Sequence, residues 1–180
     1  GRAPAVALGH KLANPDSIVV SYQGDGDLAS IGLAEILQAA QLALPLTVLF
    51  VNNATYGLTG GQMAPTTLMG QKTATSPYGR NPLMGQPLRM AEMLSVISAE
   101  SYIARASVHD VAHILKTKKA IRKAFEIQID GRGFGMVEIL AACPTNWRLS
   151  PVRCMERIQS EMIPYYPLGE FSSRGKEGRS

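Results

Sequence analysis

Apolar positions along the chain follow two rhythms, one of helices and one of short strands. Residues 4–13 predict a helix with Pro4 in its first turn, broken by Asn14-Pro15-Asp16. The β-branched run 18–22 predicts a strand that leads into Gly24-Asp25-Gly26. Residues 30–42 carry Ile31, Ala34, Leu37 and Leu42 at helical spacing. The near-continuous apolar run 46–51 predicts a strand covered on both faces, and it ends at Asn52-Asn53. A stretch rich in Gly, Pro, Thr and Tyr occupies 54–86, a length that in a compact domain marks a functional loop. Beyond it the pattern predicts a helix at 88–97 and a strand at 102–106. A longer helix is predicted at 111–128, with Val111, Ile114, Leu115, Ile121 and Phe125 on one side and Asp110 as N-cap. A strand at 134–141 and a helix at 150–162 complete the series. The Gly/Ser/charge-rich segment 171–180 predicts a frayed tail, leaving one domain over 1–170. Neither an internal repeat nor a heptad pattern interrupts the alternation. It predicts an α/β fold: a doubly wound, mostly parallel sheet with helices on both faces.

Composition narrows the class. A chain of 180 residues is long enough for one domain with its own core. The net charge of +4 is too mild and scattered for a nucleic-acid binder. Charged residues are 18%, below the usual figure of about 25%, and none falls between residues 36 and 71. Much of that charge-free stretch is expected to be covered by a ligand or a partner. Two cysteines, Cys143 and Cys154, make no disulfide framework and fit a cytoplasmic setting. The apolar run 42–51 holds Pro45 and falls short of the roughly 20 residues that span a bilayer, so no membrane role is expected. No signal-peptide pattern opens the sequence, which starts at Gly1 and reads as an N-terminally truncated piece.

The chemistry gathers at two predicted strand ends. One ends Gly24-Asp25-Gly26-Asp27, the other Asn52-Asn53, with 25 residues between Gly26 and Asn52. Ligands of doubly wound sheets bind beyond the carboxyl ends of the strands. Adjacent strands lie about 4.8 Å apart, so side chains from two such ends reach one ion. Asp and Asn offer the hard oxygens that Mg²⁺ takes, leaving its other positions to phosphate and water. The glycines let backbone approach a phosphate closely, and the next helix aims free N–H groups at the same place. A GDG triplet or an Asn-Asn pair alone is ordinary turn chemistry. Together, each after a strand, they predict a Mg²⁺–diphosphate site and match the thiamine-diphosphate motif.

The segments YQGDGDLASIGLAEILQAA and VLFVNNATYGLTGGQMAPTT, with SPYGR, YIARASVHD, CPTNW and MIPYYPLGEF after them, resemble the β subunit of 2-oxoacid:ferredoxin oxidoreductases over most of the chain. The resemblance implies the diphosphate-binding domain of the thiamine-diphosphate fold. It implies Asp25, Asn53 and the backbone oxygen of Thr55 as Mg²⁺ ligands. Gly24, Gly26 and Asp27 would line the diphosphate, and Thr59, Gly60, Gly61 and Gln62 would form the loop beside cofactor and metal. It implies oxidative decarboxylation of a 2-oxoacid, of the 2-oxoglutarate or branched-chain type, to an acyl-coenzyme A, with electrons passed to ferredoxin. The activating glutamate would come from a pyrimidine-binding α subunit, since Glu35 is poorly placed for the task. The chain alone would therefore be an incomplete catalyst.

Read by itself, Cys143 is a small buried hydrophobe. The resemblance makes Cys143, in CPTNW, a possible fourth ligand of a [4Fe–4S] cluster whose other three cysteines lie upstream and are absent from this sequence. Cys154 matches no ligand position and is expected to pack in the last helix. His10 is expected to pack or face solvent. His109 and His113, four apart, are expected to serve capping and surface roles. Lys116, Lys118, Lys119, Arg122 and Lys123 form a solvated helix face, with docking of an acidic electron carrier as the minority reading. Arg80 and Arg89 could meet a carboxylate or a neighbouring subunit. Two alternatives stay open: another thiamine-diphosphate decarboxylase or synthase subunit, and a non-catalytic Mg–diphosphate-binding module.

Overall fold

A computed structural model describes residues 1–98 and 101–171. Five strands form one sheet in the order β1-β2-β4-β3-β5. They are β1 (Val20–Gly24), β2 (Thr47–Asn52), β3 (Tyr102–Ser107), β4 (Gly135–Leu140) and β5 (Gly169–Phe171). The first four run parallel, and β5 lies antiparallel against β3. The helices are α1 (Ala3–Ala13), α2 (Leu33–Leu42), α3 (Met90–Ile97), α4 (Val111–Ile129), α5 (Pro144–Trp147), α6 (Pro151–Arg157) and α7 (Ile163–Tyr165).

The chain steps from β1 to β2 through α2, and from β3 back to β4 through α4. The two crossovers run in opposite directions along the sheet, and parallel crossovers are right-handed, so their helices fall on opposite faces. Ala7 and Leu8 of α1, Ile36, Ala39 and Ala40 of α2 and Leu94 of α3 pack on Val48, Phe50, Ile103 and Met136. Ala124 and Ile127 of α4 pack on the alternate positions, Ala104, Ala106, Val137 and Ile139. This is the doubly wound sheet with helices on both faces that the alternation predicts. A third cluster of Leu140, Trp147, Cys154, Ile158, Met162 and Tyr166 sits under the carboxyl edge.

Several details depart from the sequence reading. The first ladder begins at Val20 and not at residue 18, because its register starts at the Val20–Thr47 pair. Ile18 is 58% exposed. Residues 30–42 divide into a π-helical turn, Asp27–Ile31, and α2. The last predicted helix is likewise α6 continued by a π-helical segment, Ile158–Met162. The buried face of α4 is Thr117, Ala124, Ile127 and Gln128, while Val111, Ile114 and Leu115 stay exposed. The charge-free stretch is covered largely by this chain itself: Ile36, Ala39, Leu46, Val48 and Phe50 are core, and Leu42 and Leu58 are its exposed apolar members. Phe171, the first residue of the predicted tail, instead closes β5, a strand the pattern did not predict; the rest of that tail, 172–180, lies outside the described residues. None of the described helices is long and apolar enough to cross a membrane.

Candidate functional site

The sheet register levels four strand ends along one edge. Gly24 pairs with Val51, Asn52 with Leu140, and Ser107 with Leu140. Asp25 and Asn53, each one residue beyond its strand, therefore emerge side by side. One hydrogen-bond donor joins them: the Thr55 backbone N–H is shared between Asp25 Oδ2 at 2.9 Å and Asn53 Oδ1 at 3.2 Å. Asp25 Oδ2 also accepts from Thr66 Oγ1 at 2.8 Å, and its Oδ1 accepts from the Gly26 N–H at 2.9 Å. Asp25 is 2% exposed. Burial pushes its pKa up to about 6, against the pull of the Thr66, Gly26 and Thr55 donors, and no cationic side chain contributes. Among the hydrogen bonds of the described residues, none ends on the Thr55 carbonyl.

The two asparagines divide their work. Asn52 is buried and turns inward: its Nδ2 donates to Glu138 Oε1 at 2.8 Å, and its Oδ1 accepts from the Ala54 N–H at 3.0 Å. Glu138 in turn accepts from Arg105 Nε at 2.8 Å, and Arg105 reaches Glu92 with both terminal nitrogens, at 3.0 and 2.5 Å. Asn53 is left facing the edge.

The glycines of the first motif do different jobs. Gly26 has an ordinary helical backbone, but a Cβ there would stand 2.2 Å from Tyr56 Cε1. A Cβ on Gly24 would meet nothing within 4 Å, so the space beside it is open. Asp27 places its carboxylate against Gln23 Nε2, at 2.9 Å, and against the Gly1 amino group.

Residues 54–86 fold back under the same edge. The TGGQ segment closes on itself: Tyr56 and Gln62 pair through the main chain, Thr59 Oγ1 donates to Gln62 Oε1 at 2.7 Å, and Gln62 Nε2 returns to the Thr59 carbonyl at 2.9 Å. Gly60 and Gly61 hold φ of 116° and 80°, the left-handed region that glycine tolerates. Thr55 Oγ1 ties this turn to the metal-type oxygens by donating to the Gln62 carbonyl at 3.0 Å. Arg80 holds the rest of the loop. Its guanidinium donates to six carbonyls, those of Ala64, Pro65, Thr67, Met84, Gly85 and Gln86. Arg80 thus meets main chain rather than a carboxylate, and Arg89 stacks over the Tyr165 ring at 4.5 Å.

Cys143 stands at the start of α5, half-buried, with Sγ accepting from Asn146 Nδ2 at 3.2 Å. Asn146 also donates to the Gly57 carbonyl, and Trp147 donates to the Asn53 carbonyl. CPTNW is therefore packed against the candidate site. Cys154 is buried in α6, His10 and the basic face of α4 are exposed, and Asp110 caps α4. Sequence reasoning missed Thr66, Trp147, Tyr166 (whose hydroxyl donates to the Thr66 carbonyl at 2.6 Å) and the buried Arg105. The unmatched Arg in the apolar run of β3 was the available signal for Arg105. Thr66 had none, being 41 residues from its partner.

The residues fit a hard divalent ion. A buried carboxylate without a cationic partner, a neighbouring amide oxygen, a free carbonyl and open space beside Gly24 are what a Mg²⁺–diphosphate group requires. A [4Fe–4S] cluster is not fitted by the residues present: it takes four thiolates, and this chain has two cysteines, one of them buried in α6.

Comparison with known proteins gives three findings. The family model described as thiamine pyrophosphate enzyme, C-terminal TPP binding domain, matches residues 1–139. Ketoisovalerate oxidoreductase subunit VorA of Methanothermobacter thermautotrophicus is 48% identical over 178 residues, covering 98% of this chain and 37% of that protein. The 2-oxoglutarate synthase subunit KorB of Archaeoglobus fulgidus is 39% identical over 159 residues, covering 88% and 55%. Among solved structures, the 2-oxoglutarate:ferredoxin oxidoreductase of Magnetococcus marinus, with 2-oxoglutarate, coenzyme A and succinyl-CoA bound, superimposes with a TM-score of 0.72 at 27% identity. That match covers 95% of this chain and 62% of the other. The chain thus spans 37% to 55% of the curated relatives named here.

Proposed function

Since the chain belongs to the thiamine pyrophosphate enzyme family, as its C-terminal TPP-binding domain, we propose that it is the part of a 2-oxoacid:ferredoxin oxidoreductase that holds the Mg²⁺–diphosphate end of the cofactor. The observation that carries this reading is the single Thr55 N–H held between Asp25 and Asn53 at the ends of β1 and β2. Asp25, Asn53 and the Thr55 carbonyl would hold Mg²⁺. Gly26 and Asp27 would line the diphosphate, with Gly24 leaving room for it. The TGGQ turn would flank the pair, its shape fixed by Gly60, Gly61 and the Thr59–Gln62 bonds.

When bound, thiamine diphosphate supplies the carbanion and the electron sink needed to decarboxylate a 2-oxoacid. This chain's residues anchor and orient. Asp25 gives a negative charge already desolvated, so an arriving cation displaces little water. Thr66 and Gly26 keep the carboxylate from rotating. Asn52 and Glu138 fix the end of β2 from below, so that Asn53 presents its oxygen at a set height. Glu35 pairs with Arg2, and in this reading the activating glutamate comes from a pyrimidine-binding α subunit. Ferredoxin and coenzyme A belong to the same reading as electron acceptor and acyl acceptor. The higher identity to the ketoisovalerate subunit favours a branched-chain 2-oxoacid over 2-oxoglutarate.

The test uses the assembled enzyme. Asp25→Ala is expected to abolish Mg²⁺-dependent binding of thiamine diphosphate, and unchanged binding would refute the assignment. Coenzyme A-dependent ferredoxin reduction, faster with ketoisovalerate than with 2-oxoglutarate, is the expected substrate result.

A further inference from the structure

At the carboxyl end of β3 the chain enters α4 through His109 and Asp110, and one turn later His113 returns over the same spot. Asp110 caps the helix by accepting the His113 backbone N–H at 2.7 Å. Capping needs neither imidazole, yet both are gathered there. Their ring centres lie 4.3 Å apart. A nitrogen of each converges on one carboxylate oxygen, His113 Nδ1 at 2.8 Å and His109 Nε2 at 3.3 Å from Asp110 Oδ2. The His109 side chain is 5% exposed, and its other nitrogen is held by Ser107 Oγ at 2.8 Å. An imidazole fixed through one nitrogen and aimed with the other is how metal-ligating histidines are oriented.

We propose that His109 Nε2, Asp110 Oδ2 and His113 Nδ1 form a site for a divalent transition-metal ion of the zinc class, with water in the fourth position. Donor atoms of the three residues all lie within 4.8 Å of one another. Tetrahedral zinc takes nitrogen and oxygen at about 2.0–2.2 Å, which spaces neighbouring donors by roughly 3.3 Å. The two nitrogen–oxygen separations, 2.8 and 3.3 Å, lie close to that spacing. Two imidazoles and one carboxylate select zinc over magnesium, which prefers all-oxygen shells. Ion entry replaces the ring hydrogen bonds of His113 Nδ1 to both Asp110 oxygens, each 2.8 Å, and the His113 ring proton moves to Nε2. The cap survives, because it runs through Oδ1 and the backbone N–H. The Asp110 charge offsets the repulsion between a cation and the positive end of α4. Asp110 is 46% exposed in its side chain, so the ion has direct access from solvent. A bound ion would clamp the end of β3 to the first turn of α4.

The experiment titrates Co²⁺ into the untagged, chelator-treated full-length subunit and reads the visible d–d absorption of a tetrahedral site. One equivalent of Co²⁺ is expected to give the band, one equivalent of Zn²⁺ to bleach it, and millimolar Mg²⁺ to leave it unchanged. His113→Ala keeps the backbone N–H used by the cap, and Asp110→Asn keeps a capping oxygen. Each is expected to weaken Co²⁺ binding by about tenfold or more, with unfolding curves confirming the fold. Asp25→Asn is expected to leave the band intact, which separates this site from the magnesium reading. Absence of the band in the folded wild type, or equal Co²⁺ affinity in a His109→Ala/His113→Ala double variant, overturns the proposal.

Discussion

Trp147 donates its indole N–H to the backbone carbonyl of Asn53 at 3.0 Å. It is the sole tryptophan of the sequence, so its fluorescence reports on one end of the candidate cation site. Adding Mg²⁺ and thiamine diphosphate is expected to shift the Trp147 emission, and Asp25→Ala to remove the shift. Trp147→Phe deletes one hydrogen bond, worth about 1 kcal/mol, and is expected to weaken cation binding roughly fivefold by calorimetry.

Asp25 carries a pH prediction. Burial raises its folded-state pKa to about 6, from 3.8. A carboxyl raised on folding favours the native state while protonated, and that contribution is lost as pH rises through about 6. A cation requires the ionised form, so Mg²⁺ affinity is expected to fall as pH drops below about 6 and to level off above it. Thr66→Val removes a donor that lowers this pKa, and is expected to move the midpoint of the affinity profile upward. A midpoint that stays near 4 in both proteins would contradict the prediction.

Gly26→Ala tests the contact with Tyr56. The added methyl would stand 2.2 Å from the ring, and overpacking of this kind costs about 1–3 kcal/mol. Loss of stability in urea is expected, together with weakened cofactor binding. Tyr56→Ala in the same chain is expected to restore much of the stability, which a double-mutant cycle measures.

Arg80→Lys separates charge from shape. Six carbonyls converge on the guanidinium, whose planar fork an ammonium cannot reproduce. Destabilisation of about 3 kcal/mol is expected, because buried carbonyls lose charged donors. Faster proteolysis within residues 54–86 is the accompanying sign.

Arg105 sits between Glu138 and Glu92 and is fully buried in its side chain. Burial alone would lower its pKa, but the two carboxylates raise it, so it stays charged. Arg105→Met is expected to cost about 3–5 kcal/mol by leaving Glu138 buried without its cationic partner. Pairing it with Glu138→Leu is expected to recover most of that loss, measured by chemical denaturation.

The four parallel strands were legible from apolar and β-branched runs such as residues 46–51, and the carboxyl edge from the polar residues that terminate them; the short antiparallel β5 carried no such run and was not. Nor was the phase of α4. Its buried face uses Thr117, Ala124 and Gln128, small or polar residues that a hydrophobic pattern passes over. Gln128 is stable in its buried place because it bonds both the N–H and the carbonyl of Val19 and the Thr47 hydroxyl. Val111 and Leu115, which pattern reading assigned to the core, lie on the first turns of the helix and are exposed. At the edge, the convergence of Asp25 and Asn53 was legible from the two strand-end motifs, while Thr55 entered only through the family resemblance. Thr66, Arg80, Arg105 and Trp147 were not legible, because each acts through a partner remote in sequence or through main-chain atoms that carry no sequence signal.

The convergence of six carbonyls on Arg80 has a consequence for assembly. Leu58, Tyr78 and Leu83 stand almost wholly exposed on the long segment that this guanidinium organises. Were a neighbouring subunit to cover it, such a segment would meet that surface as a preformed plate, its chain entropy surrendered once, when the domain folds. Association then need not freeze a floppy strap, and more of the contact free energy survives as affinity.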